Sequence, residues 1–251
     1  MYSISSYIRD FSDKLLASAT VTVTFLGTGP SDPIKKSGKN GRNNTSTLIK
    51  YKNKSYLIDI GKTFDKKTEF DYLLVTHLHS DAFGGIKYIK DREFIFALPD
   101  TLSRGIKQEK FWNEQILKIN EKNRVGDLVI IPFPVKHDII YRFPTFGYQF
   151  IVDNKKLTYA SDMIEIPEKS EKYFNDIDIL IADGAGWKSN LSTHFGIWPF
   201  MKLVEKKNWN IGKIYFVQIG RPVPDHKEAQ KELSEKYNNV FLAYDGMKIK
   251  L

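Results

Sequence analysis

Residues 70–85, FDYLLVTHLHSDAFGG, set an apolar run directly against a polar one. The first half reads as a buried strand, which needs partner strands and covering layers. The second half places His77, His79 and Asp81 at alternate positions. In an extended segment, residues i, i+2 and i+4 face one side, so all three side chains can converge beyond the strand's C-terminal end. The next position, where a further ligand could reach the same point, is Ala82, and Gly84-Gly85 follows it. A polar strand end is the plainer reading. Two histidines at spacing two, followed by an aspartate and a Gly-Gly turn, favour a metal site on a sheet-based fold.

The rest of the chain supplies the sheets. VTVTFLG (21–27) alternates like a strand, and TSTLIKY (45–51) and KSYLIDIG (54–61) read as a hairpin around KNK. Further strands are expected at 93–98, 127–137, 146–152, 156–162, 177–183, 213–220, 240–244 and 247–251. The patterning predicts helices over 83–90 (with Ser80 or Asp81 as cap), 101–122, 165–174, 198–208 and 226–237. Residues 1–20 read as an N-terminal extension with a short amphipathic helix, and 21–251 as a single domain. Strands dominate the first third and strand–helix units the last, so two sheets with helices outside would use every element.

Composition narrows the chemistry. The chain has 251 residues and no cysteine, so any metal must be held by His, Asp or Glu. No apolar run approaches the roughly 20 residues of a membrane-spanning helix. Arg9, Asp10, Asp13 and Lys14 interrupt any signal-peptide core, so a cytoplasmic protein with no membrane partner is expected. The net charge of +8 suits an anionic substrate, either a small phosphate ester or a short nucleic acid, although a lysine-rich surface alone explains it. Nothing in the residues decides between a monomer and a homodimer.

HLHSDAFGG resembles the HxHxDH signature of the metallo-β-lactamase fold, with Ala82 in place of the final histidine. FLGTG (25–29), RNNTSTLI (42–49), LIDIG (57–61) and the ending IYFVQIGRPVPDHKEAQKEL…AYDGMKIKL look like the phosphodiesterase branch of that superfamily. That branch includes ribonuclease Z and the cyclic-phosphate phosphodiesterases of phosphonate breakdown. The resemblance implies an α/β, four-layer αββα sandwich over residues 21–251. It also implies metal ligands: His77, His79 and Asp81 in the motif, His137 in FPVKHD and the bridging Asp162 in TYASD. His194 in LSTHFG matches a histidine that assists catalysis. The last metal histidine should end the strand KIYFV, where this chain has Gln218. His226, eight residues on, is not that position.

Both departures, Ala82 and Gln218, fall on the same ion. The resemblance therefore implies one divalent ion, Zn²⁺ or Mn²⁺, on His77, His79, His137 and Asp162, and a second that is weak or absent. Such an ion lowers the pKa of its water from about 16 towards about 7. Asp81 is then available to orient or deprotonate that water, and His194 to protonate the leaving alkoxide, which is typically worth about 10²–10⁴-fold. Asp59 is expected behind a metal histidine as hydrogen-bond acceptor. Arg42, Lys39 and the GTGPS loop line the substrate entrance or form a solvated basic loop; the residues leave both readings open. His226 either meets a phosphate with Arg221 and Lys227 or is simply solvated, and Trp187 lies beside the site or in the core. The function expected is a metal-dependent phosphodiesterase. Ribonuclease Z-like processing is the alternative, but that enzyme's tRNA-gripping arm lies between the mid-chain histidine and the bridging aspartate. Here only 24 residues separate His137 from Asp162. A non-catalytic ligand-binding homologue is the third reading.

Overall fold

The computed structural model describes residues 20–106, 112–137 and 144–251. The helix expected over 1–19 lies outside them. The described residues build two seven-stranded sheets. The first runs in the order β14 (Lys248–Lys250), β1 (Thr22–Gly27), β2 (Ser46–Tyr51), β3 (Lys54–Ile58), β4 (Tyr72–Leu74), β5 (Phe94–Pro99), β6 (Trp112–Leu117). The second runs β13 (Val240–Leu242), β12 (Ile211–Val217), β11 (Ile177–Asp183), β10 (Lys155–Ala160), β9 (Thr145–Val152), β8 (Leu128–Val135), β7 (Asn123–Val125). Both sheets are mixed. Strands β3 to β6 and β10 to β13 pair in parallel, while β14, β1, β2 and β3, and β7 to β10, pair antiparallel.

The patterns explain the layers. β1 buries alternate residues, Val23, Phe25 and Gly27, as a strand with one covered face does. β11, IDILIAD, is buried almost throughout, as a parallel strand covered on both faces must be. One core joins residues of both sheets, with Phe25, Leu57, Tyr148, Phe150 and Ile181 fully or almost fully buried. A second core joins the outer face of the second sheet to α3 (Ile197–Lys207) and α4 (His226–Lys236). Helix α3 contributes Ile197, Phe200, Met201 and Val204, one stripe of helical period, and α4 contributes Ala229 and Leu233. Trp187 is 6% exposed and lies edge-on to Trp198 at 5.9 Å, so it is a core residue.

Three helix expectations change. The helix over 83–90 is instead α1 (Ser80–Phe83) followed by one 3₁₀ turn, Ile86–Tyr88. His79 occupies the N-cap, and neither Ser80 nor Asp81 caps it. Gly84 and Gly85 are pressed too close for side chains: a Cβ on them would stand 2.3 Å from the Ser80 carbonyl and 2.4 Å from that of Gly61. Of the helix expected over 101–122, the described residues form α2 (Asp100–Ser103) and the parallel edge strand β6, Trp112–Leu117, beside β5, while 107–111 lie outside them. The segment 165–174 is a 3₁₀ helix, Glu168–Tyr173.

Strand β8 runs antiparallel to β9, and β9 to β10, so β8, β10, β11 and β12 all end at one rim. The end of β4 is tied to that rim across the sandwich: Phe146 N–H donates to the Thr76 carbonyl at 2.9 Å and Tyr148 Oη to the Val75 carbonyl at 2.6 Å. The residues that follow these five strands form the site.

Candidate metal centre

His77 and His79 follow β4, His137 follows β8 and Asp162 follows β10. Metal-ligating atoms of His77, His79 and His137 lie within 4.8 Å of one another, as do those of His137, Asp162 and His194, and those of His77, Asp81 and Asp162. The imidazole rings of the first three sit 4.7–5.2 Å apart, and His194 stacks edge-on against His137 at 4.6 Å.

Hydrogen bonds fix which nitrogen each ring presents. Asp59 accepts from Thr76 N–H at 2.7 Å and from Thr76 Oγ1 at 3.0 Å. The Thr76 hydroxyl has given its proton to Asp59, so it accepts from His77 Nδ1 at 2.9 Å. His77 Nε2 therefore carries a lone pair. That atom is fully buried and has no hydrogen-bond partner. His137 Nδ1 faces the Thr193 carbonyl at 3.0 Å, which can only accept, so His137 Nε2 also presents a lone pair, 3.2 Å from His79 Nδ1. Burial, opposed by the Asp162 charge, together with the crowding of His137, His79 and His194, pulls the His77 imidazole down to about 3. It is neutral at pH 7, as a ligand must be. Burial opposes the Asp162 charge, but His77, His137, His194 and the Ser161 hydroxyl outweigh it and hold this carboxyl below its ordinary value. Converging imidazole lone pairs, an orphaned buried nitrogen and an ionised carboxylate fit a divalent ion of the zinc type.

Asp59 corrects one expectation. No histidine donates to it; it reaches His77 through Thr76. Burial raises its pKa well above the ordinary value, with Asp162 and Asp81 adding to the shift and the Thr76 hydrogen bonds opposing it. Its backbone adopts a positive φ of 61°, unusual for a residue with a side chain, and this turns the carboxyl inward immediately after β3.

His194 lies on the loop before α3, with Nδ1 2.7 Å from Asp183 Oδ2. Asp183 ends β11 and is fully buried; its carboxylate also accepts from Met163 and Ala185 N–H, each at 2.9 Å. Burial disfavours the His194 charge, but Asp183, with Asp162 and Asp81 behind it, outweighs burial and lifts the imidazole to about 9. Sequence reasoning did not single out Asp183. Its signal was a carboxylate ending an apolar strand, whereas Asp162 was marked by the resemblance of TYASD to the family's bridging aspartate.

Asp81 is 6% exposed, and Gln218 Nε2 donates to its Oδ2 at 3.0 Å and to Asp162 Oδ1 at 2.6 Å. Burial and the Asp162 charge raise the Asp81 pKa. Ala82 is buried beside it.

Arg42, Arg221 and His226 gather elsewhere. Arg42 and Arg221 border a cavity of about 260 Å³ that also includes Lys36, Asn40 and Asp225. Arg42 is 5% exposed and donates to Thr28 Oγ1 at 2.8 Å and to the Ala243 carbonyl at 2.7 Å. Arg221 is exposed and paired with Asp32. The His226 ring packs edge-on against Tyr244, and burial, with Arg42 and Lys39 nearby, pulls it down to about 4. Lys39 Nζ lies 4.2 Å above the Tyr244 ring.

The sequence profile of the beta-lactamase superfamily domain matches residues 61–210. No curated protein matches the chain in sequence. A diphosphatase of the PhnP family shares 22% identity and superposes with a TM-score of 0.77, covering 92% of this chain and 97% of that one. Zn²⁺-bound PqqB from Methylobacterium extorquens shares 15% identity at a TM-score of 0.71, covering 92% and 100%. The short form of human tRNase Z shares 18% at 0.62, covering 91% and 98%. The profile match over more than half of the chain and the two-sheet superpositions agree with the histidine rim: this chain belongs to the β-lactamase superfamily and has the metallo-β-lactamase fold, that of a metallo-hydrolase.

Proposed function

We propose that the chain is a metal-dependent phosphodiesterase that acts on a small or nucleotide-derived phosphate ester. The observation that carries this reading is the buried, partnerless Nε2 of His77 set among His79, His137 and Asp162. These four residues would hold one divalent ion, Zn²⁺ or Mn²⁺. When bound, the ion supplies an activated water nucleophile and Lewis-acid polarisation of a phosphoryl oxygen.

The chain's own residues do the remainder. Asp183 fixes the His194 tautomer and keeps the ring charged, so Nε2 holds a proton at the rim, ready for a departing alkoxide. Asp81 Oδ2 is committed to Gln218, so Asp81 acts by orienting a water from its remaining lone pairs. Thr76 and the Thr193 carbonyl hold the His77 and His137 rings in the required orientation. The net charge of +8 favours an anionic substrate. The related structure named as a diphosphatase supports phosphate chemistry for this fold. Arg42 and Arg221, which border the 260 Å³ cavity, and His226, whose backbone N–H donates to Asn40 of its lining, are proposed to bind further anionic parts of the substrate.

The reading of tRNA processing is disfavoured by the hairpin of β9 and β10, which fills most of the interval from His137 to Asp162. Hydrolysis of bis(p-nitrophenyl) phosphate with Mn²⁺, Zn²⁺, Ni²⁺ or Co²⁺ tests the proposal. Turnover is expected with at least one ion and is lost in His77→Ala. Absence of turnover with all four refutes it and favours the non-catalytic reading.

A further inference from the structure

His77, Asp81 and Asp162 offer ligand atoms within 4.8 Å of one another. Two buried carboxylates so close repel each other unless a positive group stands between them. The group between them is the side-chain amide of Gln218, 1% exposed, which sends one N–H to Asp162 Oδ1 at 2.6 Å and the other to Asp81 Oδ2 at 3.0 Å. Its far end meets a hydroxyl: Gln218 Oε1 lies 2.6 Å from Thr45 Oγ1, which has the Gly29 carbonyl, at 2.9 Å, as its other acceptor. Both carboxylates accept from the amide, so it cannot flip without losing the hydrogen bonds to Asp81 and Asp162. The backbone at Gln218 has a φ of +58°, directly after β12, which aims the side chain into the rim.

We propose that the Gln218 amide takes the place of a second cation in this centre: its two N–H dipoles bridge the Asp81–Asp162 pair, offset their repulsion and close that position to a metal ion. Gln218 is thereby a positioning residue, holding Asp81 and Asp162 at the spacing a bridging ion would otherwise impose. This rests on the reading that His77, His79, His137 and Asp162 hold one ion, and it explains why the second is excluded. A cation in that position would meet amide hydrogens, and Ala82 supplies no ligand to compensate.

Metal stoichiometry of the full chain, read by native mass spectrometry and elemental analysis after saturation with Zn²⁺ or Mn²⁺, tests it without reference to turnover. Gln218→Glu keeps the shape, removes both N–H donors and adds a carboxylate. It is expected to bind one more ion than the wild type. The double variant Ala82→His/Gln218→His, which builds imidazole ligands at the same point, is expected to do the same and covers the case in which Gln218→Glu does not fold. Equal stoichiometry in wild type and variants overturns the proposal, as does a wild type that takes up two ions. A wild type with no ion and a variant with one would sustain the amide's role while refuting the one-ion phosphodiesterase. In Mn²⁺-loaded wild type, electron paramagnetic resonance should show isolated ions; an exchange-coupled pair would also overturn it.

Discussion

His194 depends on Asp183 for both its direction and its charge. The 2.7 Å contact fixes Nδ1 as the donor, and the buried carboxylate, itself held by two backbone N–H groups, has no other side-chain partner among the described contacts. Asp183→Asn keeps the shape and removes the charge. It is expected to lower kcat for bis(p-nitrophenyl) phosphate about 10²-fold or more, within the usual range for a general acid, while metal content stays at the wild-type value. His194→Ala is expected to cost a similar factor, and the double variant little beyond either single, because the two residues act as one unit. Fully additive losses would show that Asp183 does not act through His194. Thr76 is the matching case on the metal side. Thr76→Val breaks the link from Asp59 to His77. It should weaken metal affinity about 10–100-fold, measurable by competition with a chromophoric chelator. His77, His79 and Asp81 were legible in their own spacing after an apolar strand, and His137 and Asp162 through the resemblance to the family's motifs, because their chemistry sits in the side chain. Thr76, Thr45, Asp183 and the Thr193 carbonyl were not. Each earns its role only through a partner distant in sequence or a backbone direction, and neither is written in spacing.

The strands show the same division. β1, β8 and β11 were legible because burial on one or both faces leaves a period of two or an apolar run. β6 was not. Its sequence, WNEQIL, buries only its ends, and its polar middle mimics an amphipathic helix; parallel pairing with β5 overrides that local preference. β7, three residues long, is too short to carry a pattern. The interior of β9 adds a constraint that appears only after the sheets pack. A Cβ on Gly147 would stand 2.3 Å from Phe133 Cζ and 2.9 Å from the Tyr159 carbonyl. Phe133 is itself fully buried and stacked on Tyr173 at 4.6 Å, so it has nowhere to retreat. Gly147→Ala is therefore expected to destabilise the fold by roughly 1–3 kcal/mol, an overpacking cost, read from the midpoint of urea denaturation. An unchanged midpoint would mean that β8 and β9 move apart freely at this position.

The histidine rim joins two sheets that also meet through an apolar core and a few hydrogen bonds such as Tyr148 Oη to the Val75 carbonyl, and an ion bound there would couple metal binding to folding. His77 comes from the first sheet, His137 and Asp162 from the second, and an ion held by all three crosslinks the sandwich. The metal-free protein keeps His77 Nε2 buried without a partner and three carboxylates, Asp59, Asp81 and Asp162, out of water. The unfolded chain keeps neither this crosslink nor this burial, so an ion held at the rim would bind the native state almost exclusively. At an ion concentration 1,000 times Kd, that linkage is worth about 4 kcal/mol. For a chain of this length, each kcal/mol moves Tm by roughly 2–4 °C. Removing the ion with a chelator should thus lower Tm by roughly 8–16 °C, and adding back Zn²⁺ or Mn²⁺ should restore it. His77→Ala should have the same Tm with and without chelator, whatever its absolute stability. A wild type whose Tm ignores the chelator would mean that the rim holds no ion strongly enough to matter, and the hydrolytic reading would fall with it.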